Sequence, residues 1–313
     1  MSQKENHGLI EAPLRPKDWL FGGGVSGITE DEMEVLREDG QWDAFLPVYE
    51  PQYSAYFDTM ACVSYGELNP LETLMFRKYT DKVNFSDRFL AKESGTTLQG
   101  NEMGKVGDVI RNVGLVPEEA WPFGPWIKSW DTYYADVPQE LIEEAAKFKA
   151  QWKINYAFVS CDQDSLISAL RYSPLTVSLG GHIVMLYGYQ LGQKWKYFDN
   201  YPNELKTKDW DFRFKAAMVW FMSKRDPNQP PMAFKFQEGF RYFVKGKHGY
   251  TVFNFGGKIR YDDLAKGLDQ WLGRGRDLDV LKMSGTVTPA DLAEEKVYDL
   301  SGKLLGLGKE LFS

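Results

Sequence analysis

Apolar positions recur at helical spacing through the first half of this chain, and alternate or run together through the second. Val63, Leu68, Leu71, Leu74, Met75 and Phe76 trace one helical face over 62–80, with Gly66 and Pro70 inside it. Pro70 lacks the amide that a helical ladder needs, so a kink or a late helix start is expected there. Shorter helices are read at 85–91, at 102–114 with Gly114 closing the turn, and from Asp136 to Ala150 with Pro138 near its first turn. Upstream, Thr29 and Glu32 have capping-box spacing in ITEDEMEVLRE, and Pro47 to Gln52 reads as extended. From 156 the period changes. YAFVSC, LTVSLG, HIVMLYGYQLG, WKYFDN and AAMVWFMSK read as half-buried antiparallel strands, with one helix, SLISALRY, after the first. Helices first and strands second predict an α+β domain with a cleft between two lobes.

The segment DPNQPP resists regular structure and marks a linker. Three regions follow: an N-terminal extension over 1–45, a main domain over 46–225 and an accessory module over 226–313. In the last, aromatics alternate with polar residues and turn at Lys245–Gly249 as a hairpin; a helix near 261–272 and an amphipathic run over 289–312 come after. This small β/α module is expected to form its own core, or to dock a partner through its final run.

Composition narrows the chemistry. With 313 residues, 43% of them hydrophobic, the chain can bury a large core. A net charge of −7 supplies no electrostatic attraction to nucleic acid or an anionic membrane. No apolar stretch is long enough to span a bilayer, and the start lacks the pattern of a secretion signal. Two cysteines cannot build the disulfide framework of a secreted domain, so a reducing, cytoplasmic compartment is the expectation. No Cys/His cluster has metal-binding spacing, and the glycine runs are not tied to a phosphate turn, so neither metal nor cofactor is expected. The acidic pairs Glu118-Glu119, Glu143-Glu144 and Glu294-Glu295 read as solvated helix faces.

Three residues combine into a chemistry. Cys62 sits at a turn into a helix, where the helix dipole lowers a thiol pKa. His182 opens a strand, and Asn200 ends the next one. These are the parts of a thiol nucleophile, its base and the group that orients the base. Asp199 could orient the ring with a full charge, and strand alternation puts only one of Asp199 and Asn200 on the histidine's face. His7 and His248, in polar stretches read as exposed, are not better bases.

PVYEPQYSAYFDTMACVSYGELNPLE, VGDVIRNVGLVPEEAWPF, SPLTVSLGGHIVMLYGY and WKYFDNYPN resemble the corresponding segments of papain-like cysteine peptidases, across roughly 45–225. FSDRFLAKESGTTLQGN resembles the segment around that family's Gly-Gly loop. The resemblance implies a two-lobed fold, a protein or peptide substrate and a thioester acyl-enzyme. It implies Cys62 as nucleophile, His182 as base and acid, and Asn200 as orienter. Gln52 and the backbone N–H of Cys62 would form the oxyanion hole. Divergent bacterial and bacteriophage members suggest a virion-associated role. The chain departs from the family in three places: Gln52 stands ten residues before Cys62, Val63 follows the nucleophile, and Tyr201-Pro202 follows Asn200. No long inhibitory prosegment is read before residue 45. The departures keep open an inactive papain-fold binding or structural protein, and a thiol amidase acting on cell-wall peptides is the other alternative.

Overall fold

The computed structural model describes residues 7–15, 18–21, 33–201 and 204–225, with strand segments 241–246, 249–254, 296–298 and 304–307. Residues 1–14 and 19–226 form one compact unit, and 227–313 with 15–18 another.

The first unit is built on helix α1 (Cys62–Tyr79), buried along nearly its whole length. It begins at Cys62 although Pro70 lies inside it, so the late start allowed by the pattern does not occur. Pro70 cannot donate to the carbonyl of Gly66, four residues back. That orphaned oxygen accepts the Thr176 hydroxyl instead, at 2.8 Å. Gly66 itself permits the close approach: a Cβ there would stand 2.3 Å from Ile183 Cγ2. The Gly66/Pro70 pair thus presses the helix onto the sheet that carries His182.

Four more helices complete the helical part: α2 (Asp87–Glu93), capped by the Ser86 hydroxyl, α3 (Met103–Asn112), α4 (Trp130–Tyr133) and α5 (Gln139–Gln151). Gly114 takes the positive φ of +106° expected after α3. Strand β1 (Trp152–Phe158) follows, then α6 (Gln163–Leu170), β2 (Leu175–Ser178), β3 (Ile183–Gln190), β4 (Lys194–Asp199), β5 (Glu204–Asp209) and β6 (Ala217–Lys224). These strands form one antiparallel sheet in the order β1-β6-β2-β3-β4-β5. The α+β class with a helical part and an antiparallel β part is as expected; β5 is an addition to the strands read from the pattern. Leu9, Trp19 and Trp42, within the stretch read as an extension, are buried in the main core.

In the second unit, β7 (Arg241–Gly246) and β8 (Gly249–Asn254) form the hairpin expected around 245–249. β9 (Lys296–Tyr298) pairs with β7 and β10 (Leu304–Leu307) with β9, so the run at 289–312 contributes two short strands. The linker at 226–231, the helix near 261–272, His248, and Thr29 and Glu32 fall outside the described residues.

Candidate active site

Cys62 is the first residue of α1, with its backbone N–H at the end of the helix where donors are unsatisfied. Asp58 and Thr59 shape the entry, accepting the Met60 and Ala61 amides at 2.8 and 3.3 Å. The Cys62 thiol is fully buried and accepts the backbone N–H of Ile183, the residue that follows His182. Burial pushes the thiol pKa up, and the Asp58 and Asp199 charges add to it against the Ile183 amide. The shift from burial runs opposite to the lowering expected from a helix terminus, because taking a thiolate out of water is costly. The other cysteine, Cys161, is free, half-buried and likewise raised, to about 11.

His182 is 8% exposed and precedes β3. Its Nε2 lies 2.8 Å from Asp199 Oδ1, and its Nδ1 is buried with no hydrogen-bond partner. Asp199 Oδ1 also accepts the Tyr201 amide at 2.9 Å, and Oδ2 accepts Lys206 Nζ at 3.2 Å. Burial alone would raise Asp199, but the bond to His182, the Tyr201 amide and Lys206 hold it below the usual carboxylate range.

Asn200 does not meet the ring. Its Oδ1 accepts Asn69 Nδ2 at 2.6 Å, and its Nδ2 donates to the Glu50 carbonyl at 2.9 Å. The reason is strand alternation. β3 pairs with β4 through Met185↔Phe198, and one further step of that register sets Val184 across from Asp199. His182 shares a face with Val184, two residues on, hence with Asp199; Asn200 falls on the opposite face. Asn200 instead ties the leader segment to α1, since its carbonyl also accepts the Gln52 amide at 3.2 Å.

Gln52 reaches the same corner despite its distance in sequence. Residues 53–58 fold out as a small loop closed by the Tyr53↔Asp58 bridge. Thr59 then bonds back to the Gln52 carbonyl through its amide at 3.2 Å and its hydroxyl at 2.6 Å. Gln52 is fully buried, and its Nε2 donates to the carbonyl of His7 at 3.2 Å.

His7 is thus half-buried beside His182 rather than exposed to solvent. Its ring lies 4.0 Å from Tyr201 and meets His182 edge-on at 5.1 Å, centroid to centroid. Its Nδ1 is 3.6 Å from Asp58 Oδ2. The sequence carried no signal for this placement beyond the scarcity of histidine. Glu118 also departs from its reading as a solvated face: its Oε1 accepts the Phe123 amide at 2.7 Å, and burial with nearby Glu50 pushes its carboxyl up to about 8. Among the described residues no group of three or more His, Cys, Asp or Glu could hold a metal, and no helix is long and apolar enough to cross a membrane.

No family model and no curated protein matches the chain. Solved structures do. The proform of the ragweed pollen allergen Amb a 11, a cysteine protease, is 14% identical, with a TM-score of 0.42 over 66% of this chain and 69% of that one. Digestive procathepsin L 3 of Tenebrio molitor is 13% identical, with a TM-score of 0.45 over 65% and 76%. Xylellain, a cysteine protease from Xylella fastidiosa, is 14% identical, with a TM-score of 0.44 over 72% and 100%. These are papain-like cysteine proteases, and at such identities they lend no residue role to this chain.

Proposed function

We propose that the chain is a cysteine peptidase, with Cys62 as nucleophile, His182 as base and acid, Asp199 as orienter, and Gln52 with the Cys62 amide as oxyanion donors. One observation carries this reading: His182 is anchored through Nε2 by a buried carboxylate while Nδ1 is left bare, beside the main chain that bonds the Cys62 thiol.

In this reading Nδ1 takes the thiol proton as sulfur attacks the peptide carbonyl carbon. The tetrahedral oxyanion accepts from Gln52 Nε2 and the Cys62 N–H. The imidazolium then protonates the leaving amine, a thioester remains, and water activated by the same ring releases the acid. Asp199 stays ionised throughout and holds the ring in the tautomer that leaves Nδ1 free to accept.

A second reading, a peptide-binding groove without chemistry, draws on the full burial of the thiol. One experiment separates the two. The full chain is treated with a thiol-directed probe and with a library of unstructured peptides. Labelling of Cys62 that is lost in Cys62→Ala and strongly reduced in His182→Ala, with cleaved peptides, supports the peptidase. Labelling independent of His182 and intact peptides would remove it. Release of fragments from purified cell wall with unstructured peptides left intact would assign the amidase instead.

A further inference from the structure

Asp199 stands between an imidazole and an ammonium carried on neighbouring elements of the sheet. β4 and β5 pair antiparallel, with Tyr197 opposite Lys206. Tyr197 and Asp199 are two residues apart and share a face, so Lys206 is on that face too and reaches Asp199 along the diagonal. Its Nζ lies 3.2 Å from Asp199 Oδ2, while Oδ1 lies 2.8 Å from His182 Nε2. Imidazole, carboxylate and ammonium thus form one row from the start of β3 to β5. Their side chains are 10%, 5% and 28% exposed in that order, so the ring and the carboxylate are nearly dry and the ammonium sits at the rim.

Among the described residues Lys206 is the one lysine or arginine paired with Asp199. The Tyr201 amide on Oδ1 is neutral. Tyr49, Tyr197 and the Cys62 thiol lie close enough for the Asp199 charge to raise them, so they keep their protons and are neutral at ordinary pH. The other neighbours of the His182 ring are the His7 and Tyr201 rings, at 5.1 and 6.0 Å, with the Asp58 carboxylate 3.6 Å from His7 Nδ1. Of these groups, only Lys206 carries a permanent positive charge.

The proposed reaction needs His182 with one proton, on Nε2, before substrate arrives. Burial keeps the other proton on the Cys62 sulfur, so Nδ1 must be open to accept it. A buried carboxylate on its own works against this. It favours the doubly protonated ring, which donates from both nitrogens and accepts at neither. An ammonium on the other carboxylate oxygen removes part of that pull. We propose that Lys206 is a positioning residue for the base, whose charge on Asp199 Oδ2 keeps the resting His182 ring singly protonated with Nδ1 open. This rests on the peptidase reading for the reaction served, but not for the charge balance of the row. The same ammonium weakens the hold of Asp199 on the imidazolium that forms once the thiol proton is taken. Lys206 therefore extends the working range of the site towards acid pH at some cost to the plateau rate.

The test compares the full chain with Lys206→Met and Lys206→Arg. Two readouts are taken from about pH 4 to 9, a range that brackets histidine. One is kcat/KM for unstructured peptides. The other is the NMR titration of the His182 ring, its resonance assigned by its loss in His182→Gln. Lys206→Met should move the ring midpoint and the acid limb of kcat/KM up together by about 0.5–1 pH unit, a loss of about three- to tenfold on the acid side. Above that limb the plateau should equal the parent's or exceed it, because a less neutralised Asp199 makes the ring a better base. Lys206→Arg keeps the charge and should shift neither readout. Midpoints unmoved in Lys206→Met would overturn the proposal, and an even loss at all pH values would show a lysine that only braces the strand. Equal shifts in both variants would also overturn it, since packing rather than charge would then set the ring. A moved ring midpoint with no peptide hydrolysed by any variant would uphold the row and remove the peptidase.

Discussion

Replacing Asp199 by Asn removes one charge from the proposed site and leaves its shape. Asp199 is 4% exposed and its Oδ1 stands 2.8 Å from His182 Nε2, so little water screens the pair. Full charges at that separation would interact by about 6 kcal/mol at an effective dielectric constant of about 20, which is an upper bound. Net contributions of hydrogen bonds to a charged group are about 1.5–3 kcal/mol. The imidazolium forms as the thiol proton is taken, so this stabilisation acts on the barrier. A fall in kcat/KM of about ten- to 150-fold is expected, with KM little changed. The asparagine amide cannot satisfy both neighbours. With its oxygen kept on the ring and the Tyr201 amide, its NH2 faces the Lys206 ammonium that Oδ2 now accepts. Adding Lys206→Met should therefore recover part of the loss. The assay is peptide hydrolysis by the full chain. If Asp199→Asn stays within twofold of its parent while Asn200→Ala loses kcat at unchanged stability, Asn200 acts on the base and the reasoning from the geometry is refuted.

Other outcomes follow from single contacts. Asn200→Ala leaves the buried Asn69 amide and the Glu50 carbonyl without their partner, and should cost about 2–4 kcal/mol in a denaturant titration; a loss under 0.5 kcal/mol would show that the bridge is not structural. Gly66→Ala drives a Cβ to 2.3 Å from Ile183 Cγ2 in the packed seam between α1 and β3. It should destabilise by about 1–3 kcal/mol, and an unchanged melting temperature would contradict the close approach. Glu118 keeps its proton in the folded state up to about 8, whereas the unfolded chain releases it near 4.5. The folded state binds the extra proton, so this stabilisation is complete below pH 4.5 and is lost as pH rises through about 8. Melting scans from pH 5 to 9 should show a decline on the order of 2–4 kcal/mol that Glu118→Gln flattens; an equal slope in the variant would assign the decline to other groups.

How far the site was legible depended on the range of each determinant. The positions of Cys62 at a helix start and of His182 at a strand start follow from local period, which a sequence displays directly. The choice between Asp199 and Asn200 needed the register of β3 against β4, and register is set by cross-strand packing over a sheet, not by either strand alone. The alternation rule stated the alternatives; only Met185↔Phe198 decided between them. Pro70 offered a late helix start as one outcome, which fails for a similar reason. Its missing amide does threaten a helix, but the acceptor it orphans is met by Thr176, more than a hundred residues away, on the strand beside the one that Gly66 touches. Glu118 looked solvated because acidic pairs usually are, and its inward turn is held by the Phe123 amide, which donates to its Oε1. The segment around His7 left the least trace. Its contacts run to Gly181, Asn101, Gln52 and Tyr201, all distant in sequence, and mostly through main chain that any residue carries. What sequence it does constrain is glycine at 8 and 100, where a side chain would strike a carbonyl. A glycine held at positive φ, with a carbonyl where its Cβ would stand, is thus a local mark of such a close approach.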